Sequence, residues 1–441
     1  MLGKEKVLEI LNKVVEYSNA DMTEASITIG ESSLTRFANS FIHQNVFEKN
    51  ACLAVRAIIG KRIGYATTNK LDDEAICSVV KKAVAFAQHS AENPDFVSLP
   101  HPKPITPIDT YDQQTALFGP EDRASAVAQL ISEARKQGAS AAGLLSNGYQ
   151  EFAVVNTLGV NAYNAMTRAR LSTVMTSDSG HGFAEQVSQR IGDLNPISAA
   201  VEAATRAVRG QNPVKIEPGE YDVVLLPYAV EEMVILLADL GFSALAVQEG
   251  RSFMCGKFGQ QITGKNITIW DDGLDTRGLP RPFDAEGVPK QRVDLIVKGI
   301  ANAVVYDSYT AYKEGKESTG HSIGGPGTYG PFPTNLFLEP GDSSIDEMIA
   351  STKKGIFVTR FHYTNTIHPI LTLFTGMTRD GTFLIEDGKI TKPVKNLRFT
   401  DSILERFSNV EMISKDTMRG EWAVVPAIKA RGFRFTGVTE F

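Results

Sequence analysis

Two adjacent glutamates, Glu231 and Glu232, stand in a largely apolar segment, YAVEEMVILLADL, at residues 228–240. Carboxylates can bind metal ions or act as general bases. At 100° per residue, Glu232 and Asp239 fall at nearly the same azimuth of a helix, with Glu231 beside them. They are about 10.5 Å apart along the axis at 1.5 Å per residue, too far for one ion with oxygen ligands at about 2.0–2.6 Å. We therefore predict an acidic stripe that faces solvent or a cleft.

The histidines are the second set of residues that could support hydrolysis. In FHYTNTIHPI, His362 and His368 would share one face of a strand but lie about 20 Å apart. Gly320-His321-Ser322 lacks the G-x-S-x-G nucleophile turn, and adjacent side chains point apart, so His321 is predicted to be structural. A hydrolase whose metal site combines His321, His362 or His368 with carboxylates remains an open alternative.

A Gly/Pro-rich loop, SIGGPGTYGPFPTN, occupies residues 322–335 and contains a formal G-x-G-x-x-G pattern that starts at Gly325. A dinucleotide site needs a strand before this pattern and a helix after it. The prolines that follow exclude the helix. We predict instead a rigid loop whose aromatic side chains, Tyr329 and Phe332, line a groove.

Charge and cysteine usage limit the class of protein. The 441-residue chain has a formal net charge of −6 and a pI near 5.8, so nucleic-acid binding is not expected. Cys52, Cys77 and Cys255 have no C-x-x-C spacing, which is typical of free thiols in a reducing compartment. The first 17 residues predict an amphipathic helix and not a signal peptide, and no apolar run approaches the ~20 residues of a membrane span. These features predict a cytoplasmic protein without a membrane partner.

The order of helical and strand patterns predicts an α+β protein. Residues 1–92 and 121–212 each show a helix, an antiparallel meander and a second helix, and a Pro-rich linker spans residues 93–120. Residues 213–441 show many short strand patterns and few helices. We therefore predict two N-terminal α+β units followed by a β-rich C-terminal domain.

Several local signals place turns and helices within these domains. Asn147-Gly148 suits a tight hairpin, and Asp380-Gly381 and Asp387-Gly388 suit turns on either side of the strand TFLIE. Besides the helix at 228–240, shorter helices are predicted near 308–314 and at 343–353.

Three segments, taken in order, carry a resemblance to a known family. Residues 281–325 contain F-D-A-E-G-V, a basic and apolar continuation and then S-T-G-H. LTRFANSFIHQ lies at residues 34–44, and GTFLIEDGKITKPVKNLRFT lies at residues 381–400. Together these segments resemble the TldD/PmbA family, whose PmbA branch is also called TldE and was once labelled a modulator of DNA gyrase.

The resemblance implies a two-domain subunit that dimerises around a cavity, within a cytoplasmic protease system for small or unfolded peptides. In the TldD branch, zinc is bound by a helix with an H-E-x-x-x-H motif and by a cysteine nearer the C-terminus. Aligned on VVLLPYAVEEMVILLADLGFSALAVQEGRSFMCG, the motif positions fall on Ile235, Leu236 and Leu240, and no cysteine follows Cys255. Thr334-Asn335 begins a run that is more similar to the TldD branch.

The resemblance therefore places the chain beside PmbA/TldE, with no catalytic residue, metal or cofactor of its own. We expect it to pair with a TldD-like zinc subunit, which would carry out hydrolysis, and to help bind the peptide substrate. A homodimeric peptide- or ligand-binding protein without a protease partner is the alternative. The candidate groove residues are Tyr329, Phe332, Thr334, Asn335, Glu231, Glu232 and Asp239.

Overall fold

The computed structural model describes residues 1–325 and 329–439. In the N-terminal half, amphipathic segments with apolar residues at helical spacing form helices, and alternating segments form long strands. The elements are α1 (Lys4–Tyr17), β1 (Met22–Ala38), β2 (Phe41–Ile59), β3 (Arg62–Thr68), α2 (Asp73–His89), α3 (Gln113–Leu117), α4 (Pro120–Lys136), β4 (Ser140–Asn156), β5 (Asn161–Ser177), β6 (Gly180–Ser188) and α5 (Pro196–Arg209). We call residues 4–209 the N-terminal unit.

The two predicted meanders share one antiparallel sheet in the order β3-β2-β1-β4-β5-β6. β1 and β4 pair along most of their length and so join the halves. Helices α1 and α2 cover one half of a sheet face, and α4 and α5 cover the other half. Side chains alternate along β1, so Ile27 and Ile29 pack under the helices while Thr28 points to the opposite face. That helix-free face carries the site described below.

The predicted hairpin at Asn147-Gly148 is wrong. Both residues lie inside β4, paired with β1 on one side and β5 on the other. The Asn147 side chain is buried: it accepts a hydrogen bond from Arg123 and donates to the carbonyls of Thr115 and Phe118. Long-range pairing and a buried polar role outweigh the local turn preference of the Asn-Gly pair.

Shorter strands and helices make up residues 219–438, which we call the C-terminal unit. Its elements are β7 (Gly219–Leu225), α6 (Pro227–Gly241), α7 (Ala244–Gln248), β8 (Ile269–Asp271), β9 (Val293–Val297), β10 (Ile300–Ala301), α8 (Ser308–Lys313), β11 (Leu336–Leu338), α9 (Ile345–Ala350), β12 (Lys354–His368), β13 (Leu373–Glu386), β14 (Lys389–Pro393), β15 (Leu397–Ser402), α10 (Ile403–Ser408), β16 (Val410–Arg419) and β17 (Ala423–Val438). The mixed α+β class and the β-rich C-terminal region predicted from the sequence are confirmed.

The C-terminal sheet closes on itself through its longest strand. β17 pairs with β15 near its end and with β7 along its middle, and β7, β12, β13 and β15 complete the ring. The interior is filled by an aromatic cluster of Phe361, Phe374, Phe399 and Phe433, whose neighbouring ring centroids are 4.6–6.4 Å apart. Helix α6 packs against β12 and β17 and contributes to the same core.

The turn and helix predictions of the C-terminal unit have mixed outcomes. Asp387-Gly388 forms the turn between β13 and β14, and both residues have positive φ. Asp380-Gly381 instead lies inside β13, where the register with β12 shifts, so the predicted turn is wrong. The predicted helices at 228–240 and near 308–314 correspond to α6 and α8, while α9 is shorter than predicted. Within residues 1–325 and 329–439, no helix combines the length and apolar character that crossing a membrane requires.

Candidate functional site

The F-D-A-E-G-V segment forms a tight turn that docks onto the helix-free face of the N-terminal sheet. Asp284 holds the turn, because its Oδ1 accepts the backbone N–H groups of Glu286 and Val288, each at 2.9 Å. Its Oδ2 accepts the N–H of Ser322 at 2.9 Å and so ties the turn to the Gly/Pro loop. Gly287 has φ 77°, and a Cβ there would lie 2.5 Å from Val160 of the N-terminal unit. Glycine is therefore required both by the backbone and by the close approach of the two units.

An aromatic stack and a buried ion-pair cluster join the turn to the sheet. Phe283 stacks on Phe152 of β4, with ring centroids 5.9 Å apart. Arg56 of β2 donates to Glu24 of β1 at 2.9 Å and to Glu286 of the turn at 3.1 Å. Burial raises the pKa of Glu24 to about 7, although Arg56 opposes that rise. The two units are thus joined by charged groups that water barely reaches.

A cavity of about 430 Å³ lies between the sheet face and this turn. Its size is within the range typical of small-molecule and peptide sites. The sheet contributes residues of β1, β4 and β5, and the C-terminal unit contributes the turn, the Gly/Pro loop and the β16–β17 connection. The side chains with the largest apolar surfaces in its wall are Phe152, Met166, Phe283, Ile323, Phe332 and Trp422.

The residues predicted for a groove are only partly brought together. Phe332 and Thr334 line the cavity, and Phe332 packs edge-on against Trp422. Tyr329 is 78% exposed and is not among the lining residues. Residues 326–328 of the same loop lie outside the part of the chain that the structure describes.

Asn335 has a structural position. It is buried, its side-chain amide donates to the carbonyls of Asp272 and Asp275, and its Oδ1 accepts from Leu279. Its backbone N–H donates to Asp271 at 2.7 Å. The side chain thus holds the 272–279 loop and has little capacity left for a peptide.

The acidic residues of α6 do not form one exposed stripe, so that expectation is wrong. Glu231 is 8% exposed, and its Oε1 accepts the N–H of Trp422 at 3.2 Å. A Cβ on Gly420 would lie 2.0 Å from its carboxylate, so the β16–β17 connection closes directly over it. Glu232 accepts a hydrogen bond from Thr364 of β12, and Asp239 is exposed. Of the three, Glu231 alone contacts a cavity residue.

The buried Glu231 carboxyl makes stability depend on pH. Burial raises its pKa to about 7, with Glu185 adding repulsion and the N–H of Trp422 opposing the rise. A raised pKa means that the folded state binds the proton more tightly, so stability is lost as pH rises through about 7. As pH rises from 4.5 to 7.5, we expect the free energy of unfolding of Glu231→Gln to increase by about 3 kcal/mol relative to that of the wild type. Urea denaturation at several pH values measures this gain.

The control for this prediction is Glu339→Gln, which removes an exposed glutamate from the same unit. If the Glu231→Gln and wild-type stabilities stayed parallel across this pH range, the buried carboxyl would not be the source of the pH dependence.

The positions that the resemblance assigns to a zinc motif cannot bind a metal. Ile235 and Leu236 are half-buried on α6, Leu236 packs against the core, and Leu240 is buried. No group of three or more His, Cys, Asp or Glu side chains with metal-binding geometry occurs among residues 1–325 and 329–439. The donor set therefore does not fit a zinc ion on this helix.

The histidines are likewise not assembled into a site. His321 is fully buried, with Nε2 2.7 Å from Asp271 Oδ1 and Nδ1 2.9 Å from Thr319 Oγ1. Burial lowers its pKa, which favours the neutral ring. His362 and His368 lie on β12 and share no metal-binding cluster with His321 among the described residues. His321 is structural, as the sequence predicts.

The sequence did not reveal two lining residues, Arg281 and Lys290, although both flank the F-D-A-E-G-V motif. They are the cationic residues in the cavity wall. The signal that could have drawn attention to them is a lysine within an apolar and Gly/Pro-rich segment, a residue type that is rarely buried.

Comparisons with known proteins agree with this architecture. Family models described as PmbA/TldA metallopeptidase domain 1, central domain and C-terminal domain match residues 23–87, 117–211 and 218–437. The chain is 25% identical to a metalloprotease TldD homolog of Haemophilus influenzae, over 94% of this chain and 89% of the relative. It is 24% identical to metalloprotease PmbA of Escherichia coli O157:H7, over 94% and 91%. The crystal structure of TldE from Thermococcus kodakarensis shares the fold, with a TM-score of 0.88, 20% identity, and coverage of 97% and 99% of the two chains.

Proposed function

This chain belongs to the PmbA/TldD metallopeptidase family, and we propose that it is a metal-free subunit of a peptide-degrading system. In this proposal a TldD-like partner carries the zinc and cleaves the bond, and this chain helps to bind the peptide. The observation that carries the proposal is the chemistry of α6, where Ile235, Leu236 and Leu240 occupy the positions aligned with the zinc motif. Neither a metal ligand nor a general base can be drawn from these side chains.

The cavity between the two units supports the peptide-binding part of the proposal. Its apolar wall suits the side chains of a short peptide, and Gln150, Asn164, Thr28 and Thr334 supply polar groups in the same wall. Small or unfolded peptides are the proposed substrates because a cavity of about 430 Å³ admits a few residues and no folded domain. The proposal places this system in the cytoplasm, where the free thiols of Cys52, Cys77 and Cys255 would stay reduced.

The test is elemental analysis of the purified chain, alone and mixed with a TldD-like chain, together with cleavage of an unfolded peptide. We expect no stoichiometric zinc and no cleavage with this chain alone. In the mixture we expect zinc in the partner and faster cleavage than the partner achieves by itself. One zinc per chain, with cleavage in the absence of a partner, would overturn the proposal.

A homodimeric binding protein without a protease partner is a second candidate. It is favoured by one observation: both units of this chain contribute polar and apolar side chains to the cavity wall. In this case, peptide binding would be present, but mixing with a TldD-like chain would change neither cleavage nor the elution volume in gel filtration.

A further inference from the structure

We propose that the cavity contains a carboxylate-binding subsite, formed by Lys290 and Arg281, which recognises the C-terminus of a short peptide. The inference rests on the peptide-binding part of the proposed function and adds the chemical group that is recognised. It is carried by two cationic side chains of the cavity wall that have no partner within the described chain.

Lys290 is the first of these groups. It is 5% exposed, and its ammonium makes no hydrogen bond or ion pair with any residue in 1–325 and 329–439. Its alkyl stem is held in place, because a Cβ on Gly273 would lie 2.5 Å from Lys290 Cγ. A lysine that is buried without a partner costs stability, so its presence calls for a ligand.

The carboxylates nearest to Lys290 are already occupied. Asp271 accepts hydrogen bonds from His321 and from the N–H of Asn335. Asp284 accepts three backbone N–H groups, and burial raises its pKa to about 8. Burial lowers the pKa of Lys290, with Asp271 and Asp284 opposing that fall and Arg281 adding to it. The ammonium thus keeps its hydrogen-bonding capacity for a group inside the cavity.

Arg281 is the second group. Its backbone N–H donates to Gly273, but its guanidinium makes no hydrogen bond or ion pair among the described residues. Arg281 is an exposed residue that lines the cavity, and the protein packed around its guanidinium, together with Arg168, lowers its pKa. A planar guanidinium beside an ammonium suits a carboxylate, which can accept from both.

The apolar wall indicates what kind of side chain lies next to the carboxylate in the ligand. Phe152, Phe283 and Phe332 line the same cavity as the two cations, and Trp422 adds to this apolar surface. A C-terminal residue with an aromatic or large aliphatic side chain satisfies both the apolar wall and the cations. A free aromatic acid has the same chemistry, so the experiment must separate the two sources.

The test is isothermal titration calorimetry with the dipeptide Ala-Phe, with its C-terminal amide and with 3-phenylpropanoic acid. We expect Ala-Phe to bind about tenfold to a hundredfold more tightly than the amide, the range for one or two hydrogen bonds between charged groups. We expect Lys290→Met to abolish this preference and Arg281→Met to weaken it. Lys265→Met, which changes an exposed lysine, is the matched control and should retain the preference.

The outcomes separate the inference from the proposed function. Equal binding of Ala-Phe and its amide would overturn the carboxylate subsite and leave peptide binding intact. Binding of 3-phenylpropanoic acid as tightly as Ala-Phe would overturn the assignment to peptides. Binding of neither dipeptide would overturn the peptide-binding role itself. The thermal midpoint of Lys290→Met is measured in parallel, and loss of the preference in a variant that is still folded at the titration temperature is attributed to the subsite.

Discussion

Replacing Asp401 with alanine is expected to lower the free energy of unfolding of the C-terminal unit by about 3–5 kcal/mol. Asp401 and Arg406 are both 1% exposed, and they form a bidentate ion pair with N–O distances of 2.9 and 3.1 Å. The carboxylate also accepts the N–H of Ser402 at 2.9 Å. Its removal would leave a guanidinium in the core, next to Phe433, without its carboxylate partner and with only the 3.5 Å contact to Glu405 and the carbonyl of Arg431 among the described residues.

Urea denaturation followed by circular dichroism measures this loss, and two variants control it. Asp109→Ala breaks an exposed pair with Arg190 and should change stability by less than about 1 kcal/mol. The double variant Asp401→Ala with Arg406→Leu removes both charges and should recover much of the loss. An Asp401→Ala protein as stable as Asp109→Ala would show that this buried pair contributes little.

Sequence patterns predicted most of what depends on local periodicity. The helix at 228–240, the α+β class and the β-rich C-terminal region all follow from apolar spacing within short windows. Asn147 and Asp380 show where such local reasoning fails. Each belongs to a pair that prefers a turn, but each lies inside a long strand and binds an arginine, Arg123 or Arg360. The partner arginine is distant in sequence or on another strand, so no local pattern indicates it.

Of the candidate site, the sequence predicted only the part that the Gly/Pro-rich loop contributes. Phe332 and Thr334 line the cavity as proposed, because a Gly/Pro-rich loop must follow the surface between strands. The burial of Glu231 could not be predicted, because its carboxyl is covered by Gly420, which lies almost 190 residues later in the chain. Lys290 shows the same limitation: whether a lysine is buried without a partner depends on which acids the fold places beside it and which other donors they bind.

Replacing Arg56 with methionine is expected to weaken the junction between the two units by about 3–5 kcal/mol near pH 8. The variant would leave Glu24 and Glu286 facing each other without the shared cation, in a region where all three side chains are at most 16% exposed. Among the residues that the structure describes, the Glu286 carboxylate would keep only its hydrogen bond from the N–H of Ser308. The buried repulsion would thus act directly between β1 and the turn that lines the cavity.

The loss should depend on pH in a direction set by Glu24. Its pKa is already raised to about 7 in the wild type and would rise further without Arg56, which lowers it. The proton is therefore bound more tightly in the folded state, and stability is lost as pH rises through that pKa. We expect the deficit of Arg56→Met to be smallest near pH 5 and largest near pH 8, in urea denaturation at each pH. Arg62→Met, which breaks an exposed pair with Glu92, should show a deficit below about 1 kcal/mol. If the two deficits matched at pH 8, the cluster would not join the units, and the cavity would have to be held by the Phe152–Phe283 stack and by other contacts between the units, such as the Arg168–Glu421 ion pair.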